Sequence, residues 1–127
     1  MKLSGSKTEQ EFRQSLILSN KSLFEEVGKI QLLSAIKKFN PNLRTAYVLN
    51  WIPEQEEDIY TILIDGELVL RVEITRHDAQ SEPLVSSQPI NEYKKGLSKM
   101  NQIKLAVALD LVKGDLQKYG VVKKSAV

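Results

Sequence analysis

The sequence predicts a mixed α/β fold of the α+β kind: N-terminal helices, a three-stranded antiparallel sheet and a C-terminal helix. Three observations predict it. Apolar residues recur at helical spacing across residues 8–39. Three runs rich in branched and aromatic residues, 44–52, 58–64 and 67–75, have strand character, and the last two flank Asp65-Gly66. Helical spacing then returns after Pro89 and makes residues 89–119 mostly helical. A chain of 127 residues can hide about two-thirds of its unfolded surface, so one domain with one real core is expected. Residues 1–6 and 121–127 read as loose ends.

Thr8-Glu9-Gln10-Glu11 and Ser22-Leu23-Phe24-Glu25 both read as capping boxes, in which a hydroxyl and a carboxylate serve each other's backbone donors. Ser19-Asn20-Lys21-Ser22 interrupts the apolar stripe, which gives two helices or one broken helix before Asn40-Pro41 stops the pattern. Residues 44–52 follow as a strand, on which Tyr47 and Trp51 share a face; Pro53 ends it. Asp65-Gly66 is the clearest local signal, because a type I′ turn needs two positive φ angles. A two-residue turn sets Ile64 opposite Glu67, Ile62 opposite Val69, Tyr60 opposite Arg71 and Asp58 opposite Glu73. Alternation then assigns Ile59, Thr61, Leu63, Leu68, Leu70, Val72 and Ile74 to the core. It leaves Tyr60, Ile62, Ile64 and Val69 as an apolar patch on the other face. Residues 76–88 read as a loop, Pro89 suits a first helical turn, and residues 103–112 fit a strand or a helix equally.

Composition narrows the chemistry. Hydrophobic residues are 42% and charged residues 27%, which is a globular balance. Cysteine is absent and His77 is the single histidine, so disulfides, thiolate sites and multi-histidine zinc sites are excluded. No apolar run approaches the ~18 residues of a membrane span, and the first residues carry no apolar signal core; the expected setting is cytoplasmic, with no membrane partner. The net charge of +2 hides an acidic middle, −7 over residues 54–90, between ends of +4 and +5.

Two carboxylates placed abreast repel, so the inferred Asp58–Glu73 pair needs a counter-charge. Arg71 and Arg76 are neighbours that supply one, and Mg²⁺ is the alternative, since it is held by one or two carboxylates with waters and phosphate oxygens. The order helix, strand, hairpin, helix, with Asp58 opening the second strand and Val72-Glu73-Ile74-Thr75 closing the third, resembles the PD-(D/E)XK nuclease superfamily. The resemblance spans about residues 22–110. It implies an αβββα core in which Asp58 and Glu73 are metal ligands, joined in some members by an acid of the first helix, here Glu25 or Glu26. It also implies a lysine two positions after the glutamate; this chain has Thr75 there, and Lys94 and Lys95 are the substitutes on the following helix. Lys94, Lys95, Lys99 and Lys104 are the candidates for nucleic-acid phosphates. His77-Asp78 offers a general base with no nucleophile beside it.

Two readings of function follow. With the catalytic lysine replaced, the first is a small non-enzymatic interaction protein on a degenerate nuclease-like core, meeting a protein partner or a second copy through Tyr60, Ile62, Ile64 and Val69. The second is a Mg²⁺-dependent nucleic-acid-binding or nuclease domain with Asp58, Glu73, Lys94 and Lys95 as its catalytic set. A double-stranded-RNA-binding module shares the αβββα order, but the acidic hairpin opposes it.

Overall fold

The computed structural model describes residues 3–78 and 80–125, with side chains as far as Lys118. Helix α1 spans Lys7–Glu25. Its capping box is built on Ser6, two residues before the Thr8 expected from the sequence: Ser6 Oγ accepts from the Glu9 N–H at 3.3 Å. The Glu9 carboxylate reaches back to the N–H groups of Ser4 and Gly5, each at 2.9 Å. Those donors, Ser4 first, hold the Glu9 carboxyl below its ordinary value. Ser19-Asn20-Lys21-Ser22 does not interrupt α1, and Ser22 caps nothing at its start. The chain breaks later, at the extended residue Glu26, and passes through a single 3-10 turn, Val27–Lys29, into α2, Ile30–Phe39. The second capping box therefore failed as a helix start, while the broken-helix reading of residues 8–39 stands.

Four strands follow, in the spatial order β1-β2-β3-β4 and all antiparallel: β1 Ala46–Pro53, β2 Glu57–Ile64, β3 Leu68–Thr75 and β4 Leu84–Pro89. The class is as predicted, but the sheet has a fourth strand where a loop was expected. Only Val85 of β4 turns an apolar side chain to the core, too little alternation for the strand to stand out from sequence. Pro89 caps α3, Ile90–Tyr93, from outside it. Gly96, at φ +78, then redirects the chain into α4, Lys99–Ser125. Residues 103–112 are therefore helical, and α4 continues through 121–125, expected as a loose end; residues 1, 2, 126 and 127 lie outside the described residues.

The hairpin register differs from the expected one by a residue. Asp65 and Gly66 both have positive φ, +51 and +72, and the Glu67 N–H donates to the Ile64 carbonyl at 3.1 Å, so the turn itself forms as its sequence requires. Yet Glu67 stays out of the ladder and Ile64 pairs with Leu68. The anchor is upstream. Asp65 N–H donates to the Thr45 carbonyl, and the Asp65 carboxylate accepts from the Arg44 and Thr45 N–H groups, all at 2.9 Å. A one-residue shift exchanges faces. Leu68, Leu70, Val72 and Ile74 join Tyr60, Ile62 and Ile64 against Leu23, Leu32, Ala35 and Ile36 in one core. On the opposite face Leu63 and Val69, with Tyr47 and Leu49, pack under Leu16 of α1 and Leu105, Val107, Ala108 and Val112 of α4. A β-bulge between Val48 and Asn50 also moves Trp51 off the face of Tyr47 and onto that of Tyr60. Helix α4 crosses the turn so closely that a Cβ on Gly66 would meet Val112 at 3.0 Å.

Candidate functional site

The turn end of the sheet is locked. Thr45 Oγ1 donates to Asp115 Oδ2 at 2.7 Å, and the Tyr47 hydroxyl donates to the same oxygen. Burial, then the bond to Asp115, pushes the Tyr47 hydroxyl well above its ordinary value. The network joins α4 to β1, and among the described residues every buried side-chain polar atom has a partner. It is a clamp made of satisfied groups.

The open end carries Asp58. Its carboxylate accepts from Arg76 Nε at 3.1 Å and Nη2 at 3.0 Å, and from the Trp51 indole N–H at 2.9 Å. Arg76 also donates to the carbonyls of Gln55 and Glu57, and so closes the strand end. Hydrogen bonds from Arg76, and more weakly from Trp51, hold the Asp58 carboxyl below the usual range. Trp51 stacks on Tyr60 at 6.3 Å.

The corrected register decides the sequence-predicted metal pair. Asp58 pairs with Ile74 and lies on the α2 face, whereas Glu73 pairs with Ile59 on the opposite face. The two carboxylates do not converge, and Glu73 sits beside Arg71 at 3.7 Å. Among the described residues no three His, Cys, Asp or Glu side chains gather as metal ligands. Glu25, Glu26 and His77 are exposed. Among the described residues neither Lys94 nor Lys95 forms an ion pair with Asp58 or Glu73; Lys95 meets Glu92 at 3.4 Å, and Lys94 lines a groove with Leu97 and Asp110. Lys99 is exposed at the start of α4. Lys104 lies over the Phe12 ring, 5.8 Å from its centroid, and burial lowers its pKa. The expected apolar patch is also corrected: Tyr60, Ile62, Ile64 and Val69 are core residues, none more than 8% exposed.

The register exposes a different surface. Helix α4 packs on α1 and β1, and α3 on β3 and β4, and among the described residues no helix packs over the far half of their sheet face. Asn50, Thr61, Arg71, Glu73 and Ser86 form its middle. Ile52 on β1 and Leu84 on β4 flank it, 45% and 66% exposed. A groove of about 330 Å³ opens on this face between Thr61, Arg71, Ser86 and Tyr93. Sequence reasoning missed this set because each member depends on the register and on an unrecognised fourth strand. No family model, curated protein or solved structure matches the chain.

Proposed function

We propose that the chain is a non-enzymatic protein-interaction module whose contact surface is the uncovered half of the sheet face under α4. The observation that carries this reading is the exposure of Ile52 and Leu84 on either side of the Arg71–Glu73 pair. Arginine is enriched at interfaces, and here Arg71 lies between two exposed apolar side chains. A rigid sheet presents them at little entropic cost.

The test is a photo-cross-linking residue placed at Asn50 in cells. The expected result is adducts of discrete mass at Asn50, lost when Ile52→Asp is added, and none from the same residue at Lys37 on α2. Equal labelling at both positions overturns the reading. The nucleic-acid alternative makes the opposite forecast: DNA or RNA retained at low salt and released by joint Lys94→Ala, Lys95→Ala and Lys99→Ala substitution.

A further inference from the structure

The two edges of the sheet are finished differently. Along β1, Val48 N–H donates to Ser19 Oγ at 3.2 Å and the Ala46 carbonyl accepts from Asn20 Nδ2 at 2.8 Å. Helix α1 thereby blocks the turn half of that edge, at Ala46 and Val48, with its own side chains. Strand β4 pairs with β3 on one side, and among the described residues nothing outside β3 hydrogen-bonds to Leu84–Gln88. Edges of this kind are ordinarily protected by shortness, charge, proline or a bulge; β4 is six residues long and its prolines, Pro83 before it and Pro89 within it, guard only its two ends. The run Leu84-Val85-Ser86-Ser87-Gln88 has no charge, and its pairing with β3 is free of bulges.

We propose that this edge is occupied by a second copy of the chain, pairing β4 with β4 antiparallel about a two-fold axis at Ser86. The inference goes beyond the interaction-module reading: it concerns the edge of the same sheet and not its uncovered face. Two observations select a second copy, and a third favours any added strand. The prolines are placed symmetrically: Pro83 and Pro89 each lie three residues from Ser86, so the axis sets each Pro83 against the partner's Pro89. The residues that cannot donate meet one another at the two ends, and the five between them pair. The charges nearest the strip cancel within each copy, Lys38 with Glu82 at 3.4 Å and Arg71 with Glu73 at 3.7 Å, so a two-fold approach brings no net like charge together. Finally, a groove of about 650 Å³ between α2 and the start of β4, lined by Ala35, Phe39 and Val85, runs beside the same edge and receives the side chains of an added strand. Pairing also joins the two uncovered faces into one eight-stranded surface. The contact is small, so a micromolar dimer is expected.

Charge at the axis supplies the test. Ser86→Asp and Ser86→Lys each set two like charges face to face, and each is expected to be monomeric by light scattering where the unaltered chain is dimeric. Mixing the two variants is expected to restore a dimer, which also shows that both fold. Because the chain has no cysteine, Ser86→Cys provides a second readout. Its sulfurs would lie across the axis at a Cα separation of about 4.5–5.5 Å, within disulfide reach. Rapid cross-linking is expected at position 86 and slow cross-linking from Ser15→Cys, exposed on α1. An unaltered chain that stays monomeric at high micromolar concentration overturns the proposal, including the case in which an extended peptide binds the edge. So does a dimer indifferent to both charge variants. Adducts at Asn50 from a monomeric chain sink the dimer alone; a dimer without adducts at Asn50 sinks the proposed contact surface and leaves the edge pairing intact.

Discussion

The two faces of the sheet use the same four strands and reach opposite ends. Under α2 most of the face is closed, with Ile62, Leu70 and Val72 fully buried and Trp51 exposed at the open end. Under α4 only the turn half is sealed, and the chain changes there from Leu63 and Val69 to Thr61, Arg71 and Glu73. Apolar content alone does not separate these outcomes, since Ile52 and Leu84 lie on the open half. What separates them is which helix passes overhead. Each face thus has its own core, and the one under α4 covers only the turn half of the strands.

The harshest way to break this contrast is to remove Leu68. With the three-residue loop of residues 65–67 kept, Val69 falls opposite Ile64 and β3 shifts by one position, sending Leu70 and Val72 to the open face. Each buried side chain forfeits roughly 1.5–3 kcal/mol, against a total stability of about 5–15 kcal/mol. Loss of cooperative unfolding in urea is the expected outcome; a normal transition would show that the register is not what assigns the faces.

Single truncations sharpen the same comparison. Leu70→Ala should lower the unfolding free energy by about 2–5 kcal/mol, as core deletions do. Ile52→Ala, on the open half, should change it by less than about 0.5 kcal/mol. Equal costs in urea titration would mean that the α4 face is sealed along its whole length. Next in size is Asp65→Ala, which strips the Arg44 and Thr45 N–H groups of their acceptor. Leaving buried donors unpaired costs about 1–3 kcal/mol, and Asp65→Asn, which keeps one acceptor oxygen, should cost less.

These residues also mark how far the sequence could be read. The Asp-Gly pair announced the turn and both positive φ angles, because those are local properties. It did not announce the loop length, because Asp65 is held by Arg44, 21 residues away along the chain. The faces of β3, the Asp58–Glu73 pairing and the apolar patch all inherited that one missing contact. Strand β4 was illegible for another reason: with one inward apolar residue between two prolines, it satisfies loop rules as well as strand rules. The helical character of residues 103–112 was undecided because Leu105, Val107 and Leu109 alternate, yet Leu105, Ala108 and Val112 also fit one helical face.

The smallest expected effect lies at the open end, where the two faces meet the solvent. Asp58 has its pKa lowered from 3.8, chiefly by the Arg76 hydrogen bonds. A depressed carboxyl contributes stability that is fully present above its unfolded value and is lost as pH falls through its folded value. Stability should therefore be level above about pH 5 and decline below pH 4. Glu9, also depressed, titrates in the same window, so the two must be separated by substitution. Asp58→Asn should flatten part of the acid limb and Glu9→Gln another part, each with a small loss at neutral pH. Trp51 supplies a local reading, since it is the single tryptophan and donates to the Asp58 carboxylate. Its emission should shift as Asp58 is protonated, in the unaltered chain and in Glu9→Gln alike, and should be unresponsive to acid in Asp58→Asn until unfolding begins. An acid-dependent emission that survives Asp58→Asn would place the titrating group elsewhere and detach Trp51 from the Arg76 clasp.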